Sequence, residues 1–171
     1  WHKIFRSKLL SVDNSCGIHI HLSTMAFNEE LLFRFIKFIY THRDFIFSIS
    51  GRTKSSFKTW SCISRNGDIF YREKALGILN RIHSWESKSN AIVGNMCGET
   101  VELRIFSSTK TPAIFWKNLE FCDCVYYFCK YVESSEDLTL QNFVNFLSLR
   151  KSKYKNLYKF IITMKEAQHL L

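Results

Sequence analysis

Two stretches in which apolar and polar residues alternate constrain the fold of this chain most strongly. In 15–23 (S-C-G-I-H-I-H-L-S) the apolar residues are Ile18, Ile20 and Leu22, and the polar ones are His19, His21 and Ser23. In 99–106 (E-T-V-E-L-R-I-F) the apolar set is Val101, Leu103 and Ile105, and the opposite set is Glu102, Arg104 and Phe106. A period of two residues is typical of a half-buried β-strand. We therefore expect two strands, each with one polar face.

Helix signals follow each of these strands. Asn28 precedes Glu29 and Glu30, an N-cap followed by first-turn acids, and predicts a helix that ends near His42 or Asp44. Its apolar face comprises Leu31, Leu32, Phe35, Phe38 and Ile39. Pro112 suits a first helical position and predicts a helix over 111–131. Two further helices are expected at 139–149 and 154–169.

The segment between the two strands gives weaker signals. The run 45–49 favours a short strand, and 53–66 is polar and is interpreted as a loop with a turn at 66–68 (N-G-D). One or two helical turns are expected at 75–82, and a loop at 87–95.

Length and composition predict one domain over residues 1–171, and the order of strands and helices predicts the α+β class. The chain has 171 residues, 46% hydrophobic, with one Pro and six Gly, which suits a single sizeable core. We expect an antiparallel or mixed sheet packed against helices, with a helical C-terminal extension over 132–171. Helix residues Leu31, Phe35, Phe38, Phe121 and Phe128 are expected to cover the sheet. No apolar run approaches the ~20 residues that span a bilayer, so no membrane association is expected.

The cysteines predict a cytoplasmic protein. Without a leader sequence, the six cysteines favour a reducing compartment rather than a disulfide framework. Cys122 and Cys129 are expected to share a helix face from which Cys124 points away. The spacing favours core cysteines over a zinc site.

A positive charge excess predicts anionic partners. Lys and Arg total 24 against 15 acids, a net charge of +9. The densest basic stretch comprises Arg150, Lys151, Lys153, Lys155 and Lys159. It is either a solvated face or a surface that contacts phosphates, including those of nucleic acid.

The polar faces of the two strands are the candidate site. Two imidazoles at positions i and i+2 point into one space, where they can bind a cation or phosphate oxygens. Glu102 and Arg104 share a face in the same way. The alternative for each pair is a set of hydrogen-bonded structural groups, and spacing alone does not decide between the two.

The same residues carry a resemblance to a known family. The stretch 17–23 (G-I-H-I-H-L-S) resembles the Gly-Met-His-x-His-x-Ser strand of glutamine synthetases. With Cys16 it is closer to the C-G-x-H-x-H strand of the amidoligase family, within the glutamine synthetase-like carboxylate–amine ligase superfamily. The stretch 99–109 is similar to that family's T-x-E-x-R-x-F strand, and phage and bacterial members also follow it with a long helix. The resemblance covers most of 13–131.

The resemblance implies a glutamine synthetase-like fold and an ATP-dependent ligase that forms an amide through an acyl phosphate. By this resemblance His19 and Glu102 ligate Mg²⁺ or Mn²⁺. The implied nucleotide-binding residues are Gly17, His21 and Ser23, and the implied catalytic residues are Arg52 and Arg104. The implied partners are ATP, a carboxylate and an amine, as free metabolites or in a peptide or protein, and a second copy of the chain in a homo-oligomer.

One family element has no counterpart in the sequence. Family members carry an earlier Glu-x-Glu strand that supplies further metal ligands, whereas the fifteen residues before Cys16 contain the single acid Asp13. Since the sequence also begins with Trp1 rather than Met, we expect a truncated or divergent member. The alternatives are a non-catalytic binding or structural protein that retains the fold, and an unrelated basic nucleic-acid-binding protein.

Overall fold

The computed structural model describes residues 12–13, 15–61, 63, 90–94 and 99–164. In chain order its elements are β1 (Gly17–Ser23), α1 (Glu29–Thr41), α2 (Arg43–Ser50), α3 (Lys54–Trp60), β2 (Ile92–Gly94), β3 (Thr100–Ser107), α4 (Pro112–Tyr131), α5 (Leu140–Ser148) and α6 (Lys155–Thr163). Short 3₁₀ turns occupy Thr24–Ala26 and Ser135–Asp137. The α+β class expected from the sequence is confirmed.

The chain divides into two compact units, which are described separately. The sheet unit is Gly17–Phe106, and the helical unit is formed by the residues before Gly17 and from Ser107 onward. Within the described ranges, no helix is both long enough and apolar enough to cross a bilayer.

The sheet has three strands in the order β1-β3-β2. The central strand β3 runs antiparallel to β2, with Ile92 opposite Leu103. At one end of β1 the Thr24 amide donates to the Glu99 carbonyl at 2.8 Å. At the other end the Ser108 amide donates to the carbonyl of Cys16 at 3.3 Å. Because the start of one strand meets the end of the other, β1 and β3 are also antiparallel.

Helix α1 begins and ends where the sequence predicts. The Asn28 side chain accepts from the Leu31 amide at 2.8 Å and caps the helix, and His42 follows its last turn. The buried apolar residues of α1 are Leu31, Phe33, Phe35, Ile36, Phe38, Ile39 and Tyr40. Together with the fully buried Val101, Leu103 and Ile105 of β3, they supply much of the core of the sheet unit.

Three predictions between the strands are wrong. The run 45–49 lies in helix α2, where the spacing of the buried Phe45, Ile46 and Ile49 matches one helix face. Half of the expected loop at 53–66 is helix α3, which Thr53 caps by accepting from the Ser56 amide at 3.2 Å. The expected loop at 87–95 contains strand β2. The turn at 66–68 and the helical turns at 75–82 lie outside the described residues.

The helical unit is built around α4. Ring centroids of Phe121 and Phe128 lie 6.3 and 5.5 Å from that of Phe143 in α5, so both rings belong to the core of this unit. Since α4 contacts both α5 and α6, more than one of its faces is buried. For this reason Cys124, expected to point away from Cys122 and Cys129, is also buried. Helix α6 occupies Lys155–Thr163 within the predicted 154–169.

Candidate functional site

Strand β1 presents its polar residues on one exposed face, as its alternation predicts. His19, His21 and Ser23 are on the accessible face, whereas Ile20 between the histidines is buried. The apolar face is less covered than expected, because Ile18 and Leu22 are only half-buried. In β3, Phe106 was expected on the polar face but is fully buried.

The two strands bring His19 and Glu102 together. The imidazole Nδ1 lies 2.6 Å from the carboxylate Oε1, with side-chain exposures of 39% and 15%. With the carboxylate ionised, Nδ1 carries a hydrogen and donates a hydrogen bond to Oε1. This arrangement leaves Nε2 as the ring atom that can accept a proton or bind an electrophile.

Arg104 completes a charged row with this pair. Its Nε lies 3.2 Å from the same Oε1 of Glu102. The hydrogen bond from His19 lowers the pKa of the Glu102 carboxyl, and the nearby charge of Arg104 lowers it further, while burial opposes both. Glu102 is therefore an anion held between an imidazole and a guanidinium.

The second histidine has a partner that the sequence did not reveal. Nδ1 of His21 lies 3.0 Å from the Thr100 hydroxyl on the opposing strand. Antiparallel pairing places Thr100 beside His21 in the same way that it places Glu102 beside His19. Ser23 ends the exposed face and immediately precedes the 3₁₀ turn.

Arg52 is buried in the sheet unit, where its guanidinium links strand β3 to helix α3. The Nε donates to the Ile105 carbonyl at 3.0 Å, and the two terminal nitrogens donate to Ser56 Oγ and to the Arg104 carbonyl. The buried Ser61 hydroxyl donates to that same Arg104 carbonyl at 2.9 Å. Burial lowers the pKa of Arg52, and the charge of Arg104 lowers it further. These contacts give Arg52 a structural role, and its catalytic role stays a prediction.

Gly17 allows the Arg52 guanidinium to lie close to the backbone of β1. A Cβ atom at position 17 would overlap a terminal nitrogen of the Arg52 guanidinium and would lie 3.2 Å from the Phe106 carbonyl oxygen. Because the guanidinium is held by several hydrogen bonds, it cannot easily move aside. The Gly in the C-G-x-H-x-H pattern thus has a packing reason at this position, and its nucleotide-binding role stays a prediction.

The residues of this face fit a divalent ion only in part. His19 Nδ1 and Glu102 Oε1 contact each other, whereas two ligands of one ion each lie about 2.0–2.2 Å from it and are not hydrogen-bonded together. In the part of the chain that the structure describes, no three His, Cys, Asp or Glu side chains form a group that could hold a metal. Asp13 accepts from the Ser15 amide and hydroxyl in a turn before β1. In the described geometry Glu102 orients His19 through Oε1, and the role of both residues as metal ligands stays a prediction.

Comparisons of the chain with family models, curated proteins and solved structures found no match. The function must therefore be argued from the residues themselves. The described site is a polar face with one ionised carboxylate, two imidazoles and one guanidinium. Such a set can bind anionic oxygens and can accept a proton at His19.

Proposed function

We propose that this chain carries part of the site of an ATP-dependent carboxylate–amine ligase with a glutamine synthetase-like fold. The observation that carries the proposal is the position of Glu102 between His19 and Arg104, on the two strands that resemble the amidoligase family. The ionised carboxylate orients the imidazole, and the guanidinium beside it can pair with an anionic group of a substrate.

The reaction divides into two transfers. A substrate carboxylate oxygen attacks the terminal phosphorus of ATP, the bond to ADP breaks, and an acyl phosphate forms. An amine nitrogen then attacks the acyl carbon, inorganic phosphate leaves, and the amine loses a proton as the amide forms. Both transfers depend mainly on positioning and on neutralising phosphate charge.

Each residue of the face has a role in that chemistry. Arg104 holds the substrate carboxylate or the transferring phosphoryl group, and His21 donates to phosphate oxygens. His19, oriented by Glu102, accepts the proton that the attacking amine loses. Mg²⁺ or Mn²⁺ would enter with ATP and offset phosphate charge. Because Nε2 of His19 serves as the base, the pair would give that ion a ligand only through Glu102, which is part of a full ligand set.

A thermal-shift titration with ATP, with and without Mg²⁺, tests the proposal. We expect a magnesium-dependent rise in Tm, because a ligand that binds the folded state stabilises it. His19→Ala and Glu102→Ala should remove the rise without unfolding the protein. Glu136→Ala, which alters an exposed carboxylate of the helical unit, is the control and should keep it. An unchanged rise in Tm in both site variants would contradict the assignment of His19 and Glu102 to the nucleotide site.

One observation favours a second candidate function, nucleic-acid binding by the helical unit. Within the basic stretch, Arg150 stacks on Phe146 with 3.8 Å to the ring centroid, and Lys153 pairs with Asp123 at 2.8 Å. The other three cations of the stretch, Lys151, Lys155 and Lys159, are exposed.

Salt dependence distinguishes this second candidate from the ligase. Replacing one lysine that binds a phosphate should reduce the slope of log K against log salt by about one. DNA or RNA binding that weakens in a variant with all three exposed lysines changed to Gln, together with no response to ATP, would favour this candidate over the ligase.

A further inference from the structure

A small pocket lies in the helical unit between α4 and α6. It has a volume of about 210 Å³. Its walls include the apolar side chains of Ala113, Ile114 and Phe160. A dry cavity of roughly 150 Å³ is large enough to bind benzene, so this pocket can hold a compact ring with one small substituent.

A buried cation lines this apolar space. Lys117 is only 1% exposed, yet it belongs to the pocket lining. Its Nζ lies 4.6 Å from the centroid of the Phe160 ring, within range of a cation–π contact. Burial lowers the pKa of Lys117 to about 8. At neutral pH Lys117 is therefore still an ammonium in most protein molecules, although it is almost fully shielded from water.

Further polar groups line the same pocket. Lys159 is exposed and adds a second cation, and Thr163 adds a hydroxyl. The Asn156 amide is fixed, because its Nδ2 donates to Glu120 Oε1 at 2.5 Å. The lining thus combines two cations and neutral polar groups with apolar walls, which is complementary to an anionic head on a compact apolar body.

We propose that the pocket between α4 and α6 binds a small aromatic or short-chain carboxylate. The carboxylate pairs with the Lys117 ammonium and is reached by Lys159, while the ring or chain lies against Phe160 and Ile114. A bound carboxylate would place a group of opposite charge beside the buried ammonium, which favours its charged form. The pocket lies wholly within the helical unit, and the proposal does not depend on the ligase function.

Calorimetric titration of the full chain with benzoate tests the proposal, with benzyl alcohol as the uncharged analogue of the same size. Benzoate should bind saturably at one site. Benzyl alcohol should bind with an affinity at least about tenfold lower. Lys117→Met keeps an unbranched apolar side chain that is one atom shorter and removes the charge, so it should weaken benzoate binding about tenfold, a loss of about 1.4 kcal/mol. Lys155→Met, at an exposed lysine outside the pocket lining, is the control and should leave binding unchanged.

Two further measurements keep the test decisive if Lys117→Met fails to fold. Ala113→Phe fills the pocket from its exposed rim and should abolish benzoate binding. In the unaltered protein, the NMR titration midpoint of the Lys117 ε-carbon should rise when benzoate is added, because a bound anion favours the ammonium. Absence of saturable binding, an equal affinity for benzyl alcohol, or an unmoved Lys117 midpoint would overturn the proposal.

Discussion

Nδ1 of His19 lies 2.6 Å from Oε1 of Glu102, although 82 residues of sequence separate them. Antiparallel pairing of β1 with β3 brings the two side chains to the same exposed face. The contact orients the imidazole and keeps the carboxylate ionised, so the pair acts as one unit. It is the part of the site on which the proposed function depends most.

Replacing Glu102 by Gln should destabilise the sheet unit. The amide oxygen can still accept from His19, but the negative charge beside Arg104 is removed. We expect the free energy of unfolding at pH 7 to fall by about 1–2 kcal/mol, as for other hydrogen bonds to charged groups. Chemical denaturation of both proteins measures the difference. A Glu102→Gln protein as stable as the unaltered one would show that the row contributes nothing to folding.

The same variant carries a pH prediction. Because the pKa of Glu102 is lowered in the folded protein, the unfolded chain binds more protons as the pH falls. The stabilisation is therefore complete above the ordinary carboxyl pKa and disappears as pH falls through the folded-state value. The gap in unfolding free energy between the two proteins should be largest at pH 6–7 and should shrink below about pH 4. A gap that widens on acidification would contradict the pKa direction.

Gly17→Ala should be destabilising because of Arg52. The added methyl would overlap the buried Arg52 guanidinium and approach the Phe106 carbonyl, and overpacking of this kind costs about 1–3 kcal/mol. In an Arg52→Met background the same change should cost less, since the overlapping atoms are gone. A double-mutant cycle by denaturation measures this coupling. An equal cost in both backgrounds would show that Arg52 does not set the glycine requirement.

Glu120 should be important for the stability of helix α6. Its Oε2 accepts from the backbone amides of Asn156 and Leu157 at 2.8 Å each, and these are first-turn donors of α6. Glu120→Ala leaves them without this acceptor and should cost about 1–2 kcal/mol. Glu120→Gln retains an oxygen and should cost less.

Thermal unfolding and amide hydrogen exchange in α6 check this prediction. The exposed Glu136→Ala serves as the matched control and should change stability by no more than about 0.5 kcal/mol. If Glu120→Ala were indistinguishable from that control, the carboxylate would not cap the helix.

Local sequence signals predicted the elements that carry their own pattern. Alternation located β1 and β3, and the Asn28 cap and Pro112 located the starts of α1 and α4. The strand prediction for the run 45–49 is wrong because a short apolar segment rich in Phe and Ile fits both periods. Strand β2 has three residues and depends on pairing with β3, so no local signal marks it.

In the candidate site, too, local patterns predicted some features, whereas others depend on how the strands pair. Alternation indicated which side chains share a face, and so predicted the residues of the charged row. It did not predict that Thr100 would pair with His21, because strand register is a property of the pairing. Nor did the sequence predict that Lys117 is buried. A lysine is ordinarily expected at the surface, and its burial here depends on how α4 packs against α6.

Imidazole NMR of the full chain during an ATP titration, with and without Mg²⁺, tests whether the face that carries His19 and His21 binds nucleotide. Long-range ¹H–¹⁵N spectra distinguish the two ring nitrogens of each histidine. We expect the His19 and His21 signals to move together, saturably and only with magnesium present, while the signal of His42 in the sheet unit stays still. Unmoved His19 and His21 signals at saturating ATP and Mg²⁺ would contradict the assignment of this face as a nucleotide site.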